Sequence, residues 1–246
     1  MVTSTRPFLL LSTRPEDDAV AGERAAILTK AGLGDAELVQ YRVEQAPLPA
    51  LRIEDFAGVF LGGGPFNASD EDKSDLQLRV EDDIARVVSD AVERDVPLLG
   101  LCYGIGALTS TLGGVVDRTY GEHVGVIDIA LTDEGVADPL FEGLPSTLRA
   151  FVGHKEACRE LPPGATLLAT GEACPVQAFR VGARAYATQF HPDLDPRGMS
   201  ERIQIYRDAG YFAPEETEEL AAVALEADIT DEVHAILANF VRIARA

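Results

Sequence analysis

The hydrophobic residues in the first half of the chain form short apolar runs that alternate with longer stretches of helical periodicity. Apolar runs at residues 8–12, 58–61 and 96–101 predict buried strands. Residues 16–31 and 72–94 predict helices. The apolar stripe of the second helix consists of Leu76, Val80, Ile84, Val87, Val88 and Ala91. Strands that alternate with helices predict a parallel sheet covered on both faces.

After about residue 115 the pattern changes to shorter apolar segments separated by turns, which predict a more antiparallel second half. The predicted strands are residues 124–131, 149–152, 165–170, 176–181 and 185–190. The tail is helical from residue 229 onward, with Thr230 placed to cap the helix and one apolar stripe along it. The stripe consists of Val233, Ile236, Leu237, Phe240, Val241 and Ala244.

Length and composition fit one α/β domain over residues 1–246, with a helical C-terminal extension from about residue 197. The formal net charge of −20 repels phosphates, which argues against binding to nucleic acid or to an anionic membrane. Three widely spaced cysteines provide neither a disulfide framework nor a metal motif. No apolar run is long enough for a signal peptide or a membrane span. We therefore expect a reduced, cytoplasmic protein with no metal and no cofactor.

The segment with the most chemical information is PLLGLCYGIG at residues 97–106, which has the form G-x-C-x-G. It joins a predicted strand to a short predicted helix at residues 105–112. A nucleophile on such a sharp turn is strained and exposed, and the adjacent helix N-terminus favours its thiolate. The alternative for Cys102 is a buried, inert thiol in a glycine-rich turn. We prefer that interpretation for Cys158 and Cys174, because they lack this context.

Two further segments offer partners for a cysteine nucleophile. A predicted strand ends at His191, and Asp193 follows two residues later. An imidazole needs a second group to hold its tautomer, and Asp193 is placed for that role. Three glycines at residues 62–64 follow another predicted strand, and their N–H groups could stabilise an oxyanion. The GxGxxG and GxxxxGKS/T patterns do not occur in this segment, so we do not expect phosphate binding there.

These segments, in this order, resemble the class I glutamine amidotransferases, above all the glutaminase domain of GMP synthetases and its free-standing relatives. The likeness spans roughly residues 50–195 and combines Gly63-Gly64-Pro65, the Cys102 turn and His191-Pro192-Asp193. Residues 151–156 also resemble the family's substrate loop. The resemblance implies an α/β, three-layer, flavodoxin-like class I glutamine amidotransferase fold, with a central mostly parallel sheet and an additional antiparallel portion.

The resemblance also implies an activity, which is cysteine-dependent hydrolysis of glutamine. By this likeness Cys102 attacks the side-chain amide carbon, His191 handles the proton, and Asp193 orients His191. The backbone N–H groups of Gly64 and Tyr103 would form the oxyanion hole. A thioester forms, ammonia leaves, and water releases glutamate.

Four more positions match the family's substrate contacts, namely Gly63, Gly106, Lys155 and Glu156. The family usually has Glu in place of Asp193 and often Gln in place of Gly106. These departures keep a second hypothesis open, a cysteine hydrolase of γ-glutamyl amides or small peptides on the same fold. A third hypothesis is a non-catalytic binding or regulatory relative. The presence of both Cys102 and His191 argues against it, although fold does not guarantee function.

An amidotransferase passes its ammonia to an acceptor. The residues that follow His191 read as helices, and they contain no nucleotide-binding motif. We therefore expect glutamine as the small-molecule substrate and a separate ammonia-accepting synthetase as the partner. The sequence is silent on oligomeric state, and a homodimer is one option. The amphipathic C-terminal helix could dock on a partner, but we expect it to cover the sheet of its own domain.

Overall fold

The computed structural model describes residues 6–246, so residues 1–5 of the predicted domain lie outside the described residues. The strands are β1 (Phe8–Ser12), β2 (Leu38–Arg42), β3 (Val59–Leu61), β4 (Leu98–Leu101), β5 (Val115–Asp117), β6 (Glu122–Leu131), β7 (Thr147–His154), β8 (Ala157–Glu160), β9 (Thr166–Gly171), β10 (Ala178–Val181) and β11 (Ala185–Thr188). The helices are α1 (Asp17–Ala31), α2 (Asp75–Glu93), α3 (Tyr103–Thr111), α4 (Asp133–Ala137), α5 (Pro196–Ile205), α6 (Thr217–Leu225) and α7 (Ala235–Arg245). Within residues 6–246, no helix combines the length and apolarity that a bilayer span requires.

One large sheet contains nine of these strands, in the order β2-β1-β3-β4-β11-β10-β9-β6-β7. The first five strands in that order run parallel to one another, and the remaining pairings are antiparallel. Strand β11 departs from the sequence prediction, which assigned it to the antiparallel half. It also pairs with β4 in parallel, and this crossover brings the segment after β11 beside the turn after β4.

Helices cover both faces of the sheet, because successive side chains of a strand point to opposite faces. In β1, Phe8 and Leu10 point into a core shared with α1 and α7. Leu9 and Leu11 point into the opposite core, shared with α2 and α3. All four side chains are almost completely buried. The arrangement has three layers, and the predicted fold class is confirmed.

Helix α7 covers the sheet of its own domain, as predicted. All six residues of its predicted stripe are buried, and the ring centroids of Phe240 and Phe60 lie 4.9 Å apart. Thr230 occupies the N-cap position of a 3₁₀ turn, Asp231–His234, that leads into α7, but its side chain forms no capping hydrogen bond, so the prediction is confirmed in position only. Thr230 instead accepts a hydrogen bond from the Arg149 N–H at 2.8 Å. This contact fastens the tail to β7.

The start of α2 also differs from the periodic pattern. Leu76, predicted on the apolar face, is 43% exposed, whereas its neighbour Gln77 is buried. The Gln77 amide donates to the carbonyl of Asn67 at 2.8 Å. The first turn of α2 therefore buries a polar side chain that holds the preceding loop. The other five predicted apolar positions of α2 are buried, as expected.

Helix α5 crosses the edge of the sheet at which the parallel strands end. The Asp195 side chain caps it by accepting a hydrogen bond from the Gly198 N–H at 2.8 Å, and Pro196 occupies the first helical position. Met199 and Ile203 of α5 share a core with α6 and β7. Helix α5 thus stands beside the carboxyl ends of the parallel strands, where ligands bind in open α/β sheets.

Candidate active site

Cys102 lies on a sharp turn between β4 and α3. Its φ of 52° lies in the positive region that residues other than glycine rarely adopt. Strand and helix approach closely here, because a Cβ on Gly100 would lie 2.9 Å from the carbonyl carbon of Gly104. The Cys102 N–H donates to the carbonyl of Thr188 in β11 at 2.8 Å. Cys102 is partly exposed, so the strained turn presents its thiol at the edge of the sheet.

His191 follows β11 and is held beside Cys102. Its Nδ1 atom lies 3.1 Å from Oδ1 of Asp193, and both residues are buried. The His191 N–H donates to the carbonyl of Phe151 in β7 at 2.9 Å. The Lys30 ammonium donates to the backbone carbonyl of Asp193 at 2.6 Å. With the imidazole fixed in this way, His191 and Cys102 line the same cavity, and each shifts the pKa of the other.

The charges of this group favour a thiolate and an imidazolium. Burial alone would raise the pKa of Cys102, but the His191 and Arg14 cations outweigh it and lower the pKa below its ordinary value. Burial alone would lower the pKa of His191, but the Cys102 thiolate and the Asp193 carboxylate raise it to about 9. Burial likewise opposes ionisation of Asp193, yet His191 holds the pKa of that carboxyl well below its usual range. These pKa shifts therefore favour a thiolate at Cys102, an imidazolium at His191 and a carboxylate at Asp193 at neutral pH.

The glycine loop after β3 is held by polar side chains from β1 and α1. The Gly63 N–H donates to Oε1 of Glu23 at 3.1 Å, and the Thr13 hydroxyl donates to the Gly63 carbonyl at 2.9 Å. A Cβ on Gly63 would lie 2.2 Å from Nη2 of Arg14, and a Cβ on Gly64 would lie 1.9 Å from Oγ1 of Thr13. Glycine is therefore required at both positions. The Gly63 N–H points back into the protein, so a direct contact of that group with substrate is not available in this arrangement.

A narrow cavity beside Cys102, which we call the glycine-loop cavity, brings together most of the predicted substrate positions. Its lining includes Gly64, Tyr103, Gly106, Lys155, Glu156 and Tyr211. Tyr103 is the first residue of α3, so its N–H is one of the groups that a helix leaves without an internal partner. The thiol and the two predicted oxyanion donors therefore share one cavity.

Glu156 and Gly106 depend on each other in this cavity. The Glu156 carboxylate accepts hydrogen bonds from the N–H groups of Ala68 at 2.7 Å and Ser69 at 2.8 Å. A Cβ on Gly106 would lie 3.0 Å from Oε1 of Glu156. Glu156 thus occupies the space into which a longer side chain at position 106 would extend, and its carboxylate holds the loop after β3.

Lys155 fastens the segment after α5 over the same cavity. Its ammonium donates to the carbonyl of Ala209 at 2.9 Å and lies 4.4 Å from the ring centroid of Tyr211. The Tyr211 hydroxyl reaches the carbonyl of Gly64 at 3.5 Å. Tyr211 therefore bridges from the C-terminal part of the chain to the glycine loop. A direct contact of Lys155 with substrate stays a prediction.

A second cavity, of about 50 Å³, also includes Cys102 in its lining, and we call it the Arg202 cavity. Cys102 and His191 line it from the strand ends, and the opposite wall comes from α5 and the segment after it. That wall includes Met199, Arg202, Ile203, Tyr206, Tyr211 and Phe212. Sequence analysis missed this wall, because its apolar positions carry the ordinary pattern of a packed helix.

Arg14 also lines the Arg202 cavity and was missed as well. It is buried at the end of β1, paired with Glu23 at 3.1 Å and donating to the Tyr206 hydroxyl at 2.9 Å. One signal could have found it. Polar residues that follow buried parallel strands meet at one edge of the sheet, and Ser12-Thr13-Arg14 follows β1.

The other two cysteines are completely buried, and burial raises the pKa of both thiols, that of Cys174 to about 12. Cys174 nevertheless lies near Glu122 and His154, with the three potential metal-ligand atoms within 4.8 Å of one another. The sequence prediction of no metal site did not foresee this cluster, because its members are far apart along the chain. The His154 ring already contacts Oε2 of Glu122 and the carbonyl of Glu156, each at 2.9 Å. Glu122 and His154 thus belong to a hydrogen-bonded network that also includes Gln177, and His154 lines the glycine-loop cavity.

Known proteins resemble this chain in sequence. One subunit of the glutamine-hydrolyzing GMP synthase of Thermococcus kodakarensis is 32% identical over 149 residues, which cover 60% of this chain and 72% of that protein. The glutamine-hydrolyzing GMP synthase of Streptomyces avermitilis is 27% identical over 211 residues, or 80% of this chain. The match spans only 38% of the length of that second relative.

Solved structures share the fold at lower identity. A glutamine amidotransferase from Thermotoga maritima superposes with a TM-score of 0.75 at 22% identity, covering 98% of this chain and 99% of that one. A glutamine amidotransferase from Methylobacillus flagellatus superposes with a TM-score of 0.73 at 20% identity, covering 98% and 94%. The sequence pattern of the family described as Glutamine amidotransferase class-I matches residues 29–205. The chain therefore belongs to the class I glutamine amidotransferase family.

Proposed function

We propose that this chain hydrolyses the side-chain amide of glutamine through a thioester on Cys102. The Cys102 thiolate attacks the amide carbon, and the carbon–nitrogen bond breaks as His191 gives its proton to the leaving nitrogen. Water then adds to the acyl carbon, with one of its protons passing to His191, and glutamate leaves. Asp193 holds the imidazole in the orientation that both steps need.

One observation supports this proposal above all. Cys102 is partly exposed on a strained turn, whereas Cys158 and Cys174 are completely buried. Cys102 also lines a cavity together with His191, and that imidazole is oriented by a carboxylate at 3.1 Å. A protein that had kept the fold for binding alone would have no need of this strain and this charge pairing.

The oxyanion that forms during attack needs donors that are already in place. We assign this role to the N–H groups of Gly64 and Tyr103, which border the glycine-loop cavity with Cys102. Both belong to the backbone, so they need no reorganisation when charge develops. The loop that carries Gly64 is clamped by Thr13 and Glu23, which is how the protein would hold the donor still.

We further propose that the ammonia is used by a separate acceptor enzyme. Two relatives at 32% and 29% identity are each one subunit of a glutamine-hydrolyzing GMP synthase, which indicates a division of labour between chains in those proteins. For the present chain, we expect that glutamine hydrolysis is slow in isolation. Addition of the acceptor enzyme with its co-substrates should accelerate it.

The test of the hydrolysis itself is ammonia release from glutamine. The wild-type chain should release ammonia, and Cys102→Ala should release none above the buffer blank. Cys158→Ala and Cys174→Ala are matched controls, because they remove thiols that lie outside both cavities. Release that survives in Cys102→Ala would overturn the proposal.

A thioester-forming probe adds a measurement that does not depend on a partner. A glutamine-like electrophile, such as the diazoketone analogue of glutamine, should label Cys102 and neither of the other cysteines. Peptide mapping by mass spectrometry identifies the labelled residue. Absence of labelling at Cys102 in the folded wild-type protein would favour a non-catalytic role.

A further inference from the structure

The Arg202 guanidinium is placed in an unusual way for a buried cation. Arg202 is 9% exposed, and it lines both the Arg202 cavity and a larger cavity between α1 and α5. Within residues 6–246, its guanidinium makes neither a hydrogen bond nor a close ion pair. A buried guanidinium without a partner is costly, so such groups normally await an anion.

The neighbouring charges explain why an anion is the expected occupant. Arg14 lies nearby, and each of its assigned hydrogen bonds goes to Glu23 or Tyr206. The Arg14 cation destabilises the charged form of Arg202. The carboxylates of Asp193 and Glu23 stabilise that form, but neither lies within ion-pairing distance. Glu23 is paired with Arg14, and Asp193 is paired with His191. Neither carboxylate is therefore left over for Arg202.

The position of the cavity tells which part of a substrate would enter it. His191 lines the Arg202 cavity but is not among the residues that line the glycine-loop cavity. Since the imidazolium protonates the leaving nitrogen, the leaving group departs on the side that His191 lines. The acyl part then extends into the glycine-loop cavity, toward Gly106 and Glu156. The space of about 50 Å³ beside His191 holds roughly four water molecules.

We propose that the Arg202 cavity is a carboxylate subsite on the leaving-group side of Cys102, so that the chain accepts γ-glutamyl amides of small amino acids. This inference rests on the proposed thioester chemistry and extends it from ammonia to amines that carry a carboxylate. The sulfur bonds to the γ-glutamyl carbon, the carbon–nitrogen bond breaks, and the proton of His191 goes to the departing amine. The amine leaves as a small amino acid whose carboxylate contacts Arg202. Water then hydrolyses the thioester as for glutamine.

The apolar wall limits the size of this leaving group. Met199, Ile203 and Phe212 line the cavity together with Arg202, so it favours a short chain with one terminal charge over a peptide. Glycine and β-alanine have the required length. An uncharged amine of the same size would leave the guanidinium without a partner, and discrimination against it follows from that unpaired group.

Alkylation of Cys102 tests the subsite without any turnover. Iodoacetate carries a carboxylate and iodoacetamide does not, while both place their reactive carbon on the same sulfur. We expect the iodoacetate-to-iodoacetamide rate ratio at Cys102 to exceed that of glutathione by about tenfold or more. The net charge of −20 by itself works in the opposite direction, because it repels an anionic reagent. A ratio at or below that of glutathione would overturn the proposal.

Three variants show whether Arg202 is responsible. Arg202→Met should lower the ratio about 10- to 100-fold, because a charge-assisted contact is lost. Arg202→Lys should retain part of it. Arg197→Met removes the same charge from the exposed face of α5 and should leave the ratio unchanged. Equal slowing of both reagents in Arg202→Met would mean that Arg202 acts only by supporting Asp193, which contradicts a carboxylate subsite.

If Arg202→Met does not fold, protection of the wild-type protein decides. Millimolar acetate should slow the alkylation of Cys102 by iodoacetamide, and acetamide should not. Equal protection by both compounds, or by neither, would contradict the subsite.

Turnover then connects the subsite to the reaction. The wild-type chain should hydrolyse γ-glutamylglycine with a kcat/KM about tenfold or more above that of γ-glutamylglycinamide, which has the same size without the charge. Ammonia release from glutamine without this preference would overturn the inference and leave the glutaminase proposal standing. Failure to hydrolyse all three compounds would overturn the glutaminase proposal and the leaving-group role together.

Discussion

Two walls of the Cys102 site differ in what they present to a substrate. The strand-end wall, formed by the ends of β1, β3, β4 and β11, presents the His191–Asp193 pair together with glycines and backbone N–H groups that are clamped by Thr13 and Glu23. The helical wall, formed by α5 and the segment after it, presents long side chains, among them Arg202, Tyr206 and Tyr211. Because the strand-end wall presents mainly backbone groups, side-chain substitutions there would alter little of what a substrate contacts. The second can change its shape and charge by single substitutions.

This difference suggests a division of tasks. Backbone donors on clamped loops suit steps that every acyl transfer needs, since their geometry is set by the sheet. Side chains on a helix that crosses the edge of the sheet suit the choice of leaving group. If this holds, damage to the strand-end wall should stop the chemistry, and damage to the helical wall should change selectivity or stability.

The largest effect should follow from breaking the strand-end wall at Asp193. Asp193→Asn removes the charge that supports the His191 imidazolium and also favours the wrong tautomer. We expect kcat for glutamine hydrolysis to fall about 1,000- to 10,000-fold. Asp193→Glu keeps the charge and restores the residue usual in the family, so its loss should be much smaller. A steady-state ammonia assay measures both variants, and equal losses would contradict an orienting role for this carboxylate.

The next effect should come from the glycine loop. A Cβ at position 64 would meet the Thr13 hydroxyl at 1.9 Å, so Gly64→Ala must displace the loop and its N–H. We expect a loss of about 100- to 1,000-fold in kcat, the usual result of removing one oxyanion donor. Gly22→Ala is the control, because a Cβ there has nothing within 4 Å. Unchanged kcat in Gly64→Ala would contradict the assigned oxyanion hole.

A moderate effect should appear in the pH dependence of Cys102 alkylation. The lowered pKa of Cys102 keeps the thiolate populated below the pH at which an ordinary thiol becomes protonated. His191→Asn removes the main cation that lowers this pKa, so the thiol becomes protonated at higher pH. We expect the iodoacetamide rate at pH 6.5 to fall about tenfold or more in this variant.

The same pair sets an upper pH limit for turnover. Because the pKa of His191 is raised to about 9, the imidazolium that protonates the leaving group is lost as the pH rises above that value. Acylation should therefore slow above pH 9 while alkylation by iodoacetamide does not. His123→Asn changes an exposed histidine away from the site and should shift neither profile. Identical profiles for His191→Asn and wild type would exclude an ion pair.

The smallest effect should come from the helical wall. Tyr206→Phe removes the hydroxyl that accepts the Arg14 hydrogen bond at 2.9 Å. We expect the free energy of unfolding to fall by about 1–3 kcal/mol, with the alkylation rate of Cys102 within about threefold of wild type. Urea denaturation and alkylation kinetics measure the two quantities, and Tyr120→Phe serves as the matched control. A large loss of reactivity in Tyr206→Phe would mean that the two walls do not have separate tasks.

Local patterns predicted the strand-end wall well, because its features lie within a few neighbouring residues. The Cys102 turn, the glycine loop and the pair of His191 and Asp193 are each contained in one short segment at the end of a strand. Apolar periodicity likewise predicted the stripe on α7. It was wrong at Leu76, which is exposed. The Thr230 side chain, predicted to cap the tail helix, instead accepts a hydrogen bond from the distant Arg149 N–H.

The sequence by itself determined the alternation of buried strands and helices, the turn that strains Cys102, and the identity of the nucleophile's candidate partners. These follow from local backbone preferences and from the period of apolar residues, which act over a few positions. The tertiary structure alone decided that β11 pairs with β4, that Glu156 fills the space over Gly106, and that Arg202 lines a cavity together with Cys102. Those outcomes depend on packing between segments that are distant in sequence, such as the contact between Arg14 and Tyr206, which are 192 residues apart. No local pattern encodes which buried charge will be left without a partner.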